Sequence, residues 1–208
     1  MQVEEQDRLE KLLSWERRLW SQDCRMVAGV DEAGRGSLAG PVVAAAVITN
    51  DGQLVEGVND SKKLTPRKRE LLYERIKKSA RAVGIGMVFQ DEIDSVNIYN
   101  ATIICMIKAL QNLPVQPERV LIDGMMLPEY PVPQDKILQG DSHCYSIAAA
   151  SIIAKVTRDR LMCELDKVYP QYGFARHKGY GTREHMAAIR EHRPCKIHRK
   201  TFHPVSEY

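Results

Sequence analysis

Four acidic positions in this chain share a setting that suits chemistry. Asp31 and Glu32 close the apolar run 26–30, Asp123 precedes Gly124 after the apolar run 120–122, and Asp141 follows Gly140. Each sits where a short apolar stretch meets a glycine-containing turn or a helix start. In α/β proteins such strand ends are where ligand chemistry collects. Carboxylates gathered there repel one another strongly unless a cation neutralises them. Hard oxygen donors select Mg2+ or Mn2+ rather than zinc. Two such ions about 3.5–4 Å apart are the usual device for in-line cleavage of a phosphodiester.

Each acid also has an ordinary reading. Asp141-Ser142 can cap the helix that follows, and Asp123-Gly124 can be a plain turn. Adjacent residues of a strand face opposite ways. Asp31 and Glu32 therefore reach one site only if the strand ends there and the chain turns, as Gly34-Arg35-Gly36 allows. Gly34-x-Gly36-x-x-Ala39 also fits the dinucleotide fingerprint. That fingerprint needs a helix starting on its glycines, and Pro41-Val42-Val43 leads into a strand instead. A nicotinamide enzyme is set aside on that context.

The elements that must hold these residues are legible from periodicity. Residues 5–19 read as an amphipathic helix carrying Leu9, Leu12, Leu13 and Trp15. Strands are expected over 26–30, 42–49, 82–89, 119–122 and 136–138, the second ending at the turn Asn50-Asp51-Gly52. Pro66 opens a charged helix to residue 80, since Pro suits a first helical turn. Further helices are expected over 100–113, 142–169 and 183–191. The run of small residues at 146–155 lets the long one pack closely on a sheet. Strands first, then strands alternating with helices, give an α/β class with a mixed sheet.

With 208 residues, 44% hydrophobic and 27% charged, the chain can fill one core and is too apolar to be disordered. The longest apolar stretch, 38–48, is broken by Gly40-Pro41 and falls short of the roughly 20 residues of a membrane helix. The early acids of the N-terminus do not suit a signal peptide. Five cysteines form no CxxC pair, which argues against a disulfide framework or a zinc knuckle and favours small buried hydrophobes. A soluble, cytoplasmic protein without membrane contact is expected. The net charge of +3 conceals two basic windows, a local +7 over 62–81 and a local +6 over 173–203. The remainder is acidic. A basic face beside an acidic body suits a polyanion.

The blocks GVDEAGRGSLAGPVVAAAVI, DSKKLTPRKRE, NIYNAT, LIDG, GDS, SIAAASIIAKVTRD, YGFARHKGYGTREH and PCKIHRKTF follow one another across residues 26–205. In this order they resemble the type 2 ribonucleases H, the bacterial ribonuclease HII family. The resemblance implies a ribonuclease H-like fold: a five-stranded mixed sheet flanked by helices, with a C-terminal helical segment. A helical extension over 1–23 would precede a catalytic domain over 24–208.

The implied activity is hydrolysis of RNA in RNA/DNA hybrids and incision 5′ of single ribonucleotides embedded in duplex DNA. It would use two Mg2+ or Mn2+ ions, leave 3′-OH and 5′-phosphate ends, and be carried out by a monomer. Asp31, Glu32, Asp123 and Asp141 become the metal-binding catalytic carboxylates. Gly34, Arg35 and Gly36 would read the ribose 2′-OH, and Tyr180 would stack on the adjoining deoxyribose. Lys62, Lys63, Ser142, Lys155 and Arg158 would contact phosphates. His143 and His177 are expected to be structural or phosphate-facing, since metal-activated water needs no histidine base. Two departures stand out: Met125 where the family often has Asn, and Arg193 where it usually has Gly. A non-catalytic binding module fits poorly, because unneutralised acids hinder phosphate binding. An integrase-like DNA nuclease has no use for a loop that reads the 2′-OH.

Overall fold

The computed structural model describes residues 2–128 and 130–208. Five strands, β1 (Val27–Ala33), β2 (Val42–Ile48), β3 (Ala82–Val88), β4 (Arg119–Asp123) and β5 (Gln134–Ile137), form one sheet in the order β3-β2-β1-β4-β5. β1–β2 and β2–β3 pair antiparallel, whereas β1–β4 and β4–β5 pair parallel. The sheet is mixed, with β1 at its centre.

Helices cover both faces. α1 (Gln2–Leu12) and α2 (Ser14–Trp20) open the chain, and α3 (Pro66–Ser79) links β2 to β3. α4 (Gln90–Gln111) follows β3, and α5 (Gly140–His143) and α6 (Tyr145–Val168) follow β5. α7 (Phe174–His177) and α8 (Arg183–His192) complete the set. α6 lies on one face, where Ala148, Ala149 and Ala150 are fully buried. Its approach is so close that a Cβ on Gly29 would lie 2.2 Å from the carbonyl carbon of Ser146. The small-residue run thus packs as its composition predicts. α4 covers the other face over Ala28, Val30, Ala44 and Ala46.

Four elements differ from the reading of the sequence. The first helix breaks at Leu13 (φ −83, ψ 0), yet Leu9, Leu12, Leu13, Leu19 and Trp20 all enter the same core as α6. α4 starts ten residues before the expected 100, with Asp91 and Glu92 complementing the dipole of its first turn. Its course is interrupted at Asn97 (φ 67), whose Oδ1 caps the second arm by accepting from Tyr99 and Asn100 N–H at 3.0 and 3.1 Å. The helix expected over 142–169 splits at Cys144, which is extended (φ −139, ψ 127). β1 does not end at Val30 but runs on through Asp31 and Glu32, opposite Ala45 and Ala44 of β2.

Cys105 and Cys144 are buried, whereas Cys24, Cys163 and Cys195 are only partly covered, so the expectation of five buried cysteines fails for three. Arg193, the position expected from the resemblance to be Gly, has φ 62 and ψ 165, a conformation that only Gly adopts freely. Among the described residues no helix is long and apolar enough to cross a membrane.

Candidate active site

β1 carries two of the four carboxylates. Its odd-numbered residues face α6, as Gly29 does, and its even-numbered residues Ala28 and Val30 face α4. Asp31 therefore points to the α6 side and Glu32 to the α4 side, although the strand never turns. They share a site because β4 stops short. Its pairing with β1 ends at Val30↔Ile122, and Asp123 stands at its tip. Asp31 and Glu32 both lie within electrostatic reach of Asp123. Asp123 Oδ1 in turn accepts the N–H of Gly140 at 2.8 Å, fastening β4 to α5, which carries Asp141. The expectation that the strand must end for the two adjacent acids to cooperate is thus corrected. A short neighbouring strand serves instead.

Two members of the cluster are buried, Glu32 and Asp123 are partly covered, and the charges repel one another. Asp31 and Asp141 are 7% and 5% exposed. Burial, with repulsion from Glu32 and Asp123, holds the Asp31 carboxyl well above the usual carboxylate range. Burial also raises Glu32 against the opposing pull of Arg35, and raises Asp141 against that of Lys62. Lys62 Nζ lies 3.2 Å from Asp141, and Arg35 Nη1 lies 3.5 Å from Glu32. Burial works against the Lys62 ammonium, but its contact with Asp141 prevails and raises its pKa. Both cationic side chains are long and solvent-exposed, so they can swing away. Among the described residues no three His, Cys, Asp or Glu side chains are grouped closely enough to hold a metal ion as they stand. An all-oxygen set that is partly buried, mutually repelling and only loosely neutralised fits hard divalent cations.

The other expected residues surround this cluster. Lys63 Nζ donates to Ser142 Oγ at 3.0 Å, so Lys62, Lys63 and Ser142 meet beside Asp141. β1 leads directly into the Gly34-Arg35-Gly36 loop, where Gly34 has φ 95 and a Cβ would collide with Arg158 Nε. Ser37 bridges to Tyr180, and Leu38 N–H donates to Gly179 O at 2.8 Å, which brings the tyrosine to the loop. Tyr180 is 37% exposed, and its ring is faced by Lys155 Nζ at 5.6 Å and the Arg158 guanidinium at 5.5 Å. Lys155 also pairs with Asp159 at 2.8 Å.

Arg158 does not fit the reading of a phosphate contact. It is fully buried and donates to the carbonyls of Pro41, Lys178 and Ala39 at 2.9, 2.9 and 3.1 Å. Its charge holds backbone rather than facing solvent. Of the two histidines, His143 is exposed, and His177 is buried with its ring stacked on His185, centroids 4.4 Å apart.

Two residues were not singled out by the sequence. Arg199, fully buried, donates to the carbonyls of Gly34, Arg35 and Gly40. Burial, aided by nearby Arg158, lowers its pKa to about 9, which leaves it protonated at neutral pH. In the sequence it stands within the basic window 173–203 and the block PCKIHRKTF, and neither gave it a role of its own. Glu16, also fully buried, accepts from the Ser146 N–H at 2.7 Å and from the Cys144 thiol. No local pattern could have shown a contact between residues 130 apart.

The sequence model of ribonuclease HII matches residues 28–205. A ribonuclease HII of Geobacillus kaustophilus is 54% identical over 97% of this chain and 77% of its own length. One from Caldicellulosiruptor saccharolyticus is 49% identical over 93% of this chain and 94% of its own. Among solved structures, ribonuclease H2 of Pyrococcus horikoshii superposes with a TM-score of 0.74 at 27% identity, covering 87% of this chain and 95% of that one. A ribonuclease HII of Archaeoglobus fulgidus, solved in complex with PCNA, gives 0.72 at 28% identity over 85% and 95%. A carboxylate cluster on β1, β4 and α5, with a glycine loop directly after it, lies inside the matched span. The chain therefore belongs to the ribonuclease HII family, metal-dependent endonucleases that hydrolyse the RNA strand of RNA/DNA hybrids.

Proposed function

We propose that this chain incises duplex DNA on the 5′ side of a single embedded ribonucleotide, as well as cutting longer hybrids. The observation that carries this reading is the continuity of β1. The same strand delivers Asp31 and Glu32 and then, with only Ala33 between, the Gly34-Arg35-Gly36 loop. A reader of the sugar is thus rigidly tied to the place of cleavage. The 2′-OH is what marks one ribonucleotide within DNA.

In this reading Asp31, Glu32, Asp123 and Asp141 would together hold the Mg2+ or Mn2+ ions. When bound, such ions activate water and stabilise the leaving 3′-oxygen, giving 3′-OH and 5′-phosphate ends. The protein's own residues do the rest. The burial that disfavours free carboxylates keeps the cluster ready for cations. Lys62 and Arg35, displaced from the acids, become free for phosphate oxygens. Lys63, Ser142 and Lys155 extend that phosphate track, which fixes register without reading sequence. The Tyr180 ring supplies a flat face for the sugar after the ribonucleotide. Residues 1–23 act as a helical extension to the catalytic part, 24–208, and the enzyme works as a cytoplasmic monomer.

The test is an end-labelled duplex with one ribonucleotide, incubated with Mg2+, with Mn2+ and with excess chelator. A single metal-dependent cut 5′ of the ribonucleotide is expected. Cleavage in chelator, or equal cutting of an all-DNA duplex, overturns the reading.

A further inference from the structure

Two arginines, Arg158 and Arg199, are wholly buried, and among the described residues neither is ion-paired with a carboxylate. A buried guanidinium is costly unless its N–H groups are satisfied. Here backbone carbonyls satisfy them, and the choice of carbonyls is informative. Arg199 Nη1 donates to Arg35 O at 2.7 Å, and Nη2 donates to Gly34 O at 2.7 Å. Both acceptors lie in the glycine loop. Nε and Nη2 also reach Gly40 O, at 3.0 and 2.9 Å. Arg158 holds the far side of the same segment through Ala39 and Pro41.

The peptides of this loop are trans, the cis bond among the described residues being His203-Pro204. In a trans peptide the C=O and the following N–H point in opposite directions. Drawing the Gly34 and Arg35 carbonyls inward therefore turns the N–H groups of Arg35 and Gly36 outward, at two exposed residues. Neighbouring outward N–H groups form a small cradle for an oxygen acceptor. The guanidinium charge behind the carbonyls polarises both peptide groups and strengthens their outer donors.

We propose that Arg199 is a positioning residue for substrate selection. It holds the loop so that the N–H groups of Arg35 and Gly36 meet an oxygen of the ribonucleotide. This rests on the reading that the loop selects the ribose 2′-OH, and it assigns the selecting geometry to a side chain that never touches the substrate.

The test compares wild type with Arg199→Lys, which keeps a charge but loses the planar fork. Binding in Ca2+ is measured to a duplex with one ribonucleotide and to the same duplex in all-DNA form. Wild type should prefer the ribonucleotide duplex. Arg199→Lys should lose that preference by about tenfold, the order expected for one or two polar contacts, while all-DNA binding stays within about twofold. An unchanged preference, or an equal loss on both duplexes, makes Arg199 merely structural and overturns the proposal. A second measurement does not depend on the variant folding. In wild type, the amide NMR signals of Arg35 and Gly36 should move more with the ribonucleotide duplex than with all-DNA, and equal movement overturns the proposal. If wild type shows no preference at all, the failure lies in the underlying reading of the loop.

Discussion

Glu16 accepts a hydrogen bond at 2.7 Å from the backbone N–H of Ser146, 130 residues further along the chain. Ser146 stands in the first turn of α6, whose N-terminal amides lack partners of their own. α2 thus supplies, from outside, the cap that Asp141-Ser142 was positioned in sequence to provide. The helix breaks at Cys144, so that pair lies in α5 and Asp141 is left for the carboxylate cluster.

The contact makes a prediction about stability. Burial raises the Glu16 pKa above its ordinary value of 4.5. A carboxyl raised on folding contributes stability below its unfolded pKa and loses it as pH rises. Glu16→Gln, which keeps the acceptor, should therefore melt higher than wild type at pH 8, by roughly 2–4 °C per kcal/mol regained. The difference should vanish near pH 4. Glu16→Ala should instead cost about 1–3 kcal/mol by leaving the Ser146 N–H unsatisfied. Parallel melts at the two pH values check both.

Asp31 carries the same sign, first through burial as in Glu16 and then through repulsion from Glu32 and Asp123. Without metal, Asp31→Asn should be as stable as wild type or more so at pH 8, because a buried repulsive charge is gone. It should also lose the upward melting shift that Mg2+ gives wild type, and cleavage should fall by about a thousandfold. Thermal melts with and without Mg2+ and a cleavage assay suffice. A large loss of metal-free stability would make Asp31 a packing residue.

The histidines behind the Tyr180 segment carry the opposite sign. His185 Nε2 lies 3.0 Å from His198 Nε2, and burial lowers the pKa of each from 6.5 to about 4. Groups depressed in this way lend stability above pH 6.5 and lose it as pH falls towards 4. The melting temperature should therefore drop across that window, and His185→Gln should flatten the drop. A pH series of melts reads the effect directly.

Arg193 occupies a conformation near φ 62, ψ 165 that costs a non-glycine residue about 1–3 kcal/mol. Arg193→Gly should relieve it and raise the melting temperature by a few degrees, with cleavage unchanged. A lower melting temperature would mean that the Arg193 contact with the Tyr208 ring outweighs the backbone strain.

Tyr180 presents its ring beside Lys155 and Arg158. Loss of a stacking face is worth about 1–3 kcal/mol, or roughly tenfold to a hundredfold. Tyr180→Phe should keep most activity on a single-ribonucleotide duplex, and Tyr180→Ala should lose it by that factor. Equal damage from both would point to the hydroxyl.

The amino-acid sequence alone determined the α/β class and the five strands, and it marked the four acids and the glycine loop as candidates. These are local properties: apolar runs, turn residues and motif order act over a few neighbouring positions, so spacing reveals them. It also foretold that α6 would lie close to the sheet, since a run of alanines leaves no bulk to hold it away. Only the tertiary structure decided how Asp31 and Glu32 cooperate from opposite faces, because that depends on where a different strand, β4, stops. It alone decided that Arg158 and Arg199 turn inward. Charge in a sequence suggests solvent, and only the converging carbonyls of residues 34–41 and Lys178 make burial of two guanidinium groups tolerable. The Glu16 cap belongs with these, for a hydrogen bond across 130 residues exists only once the chain has folded.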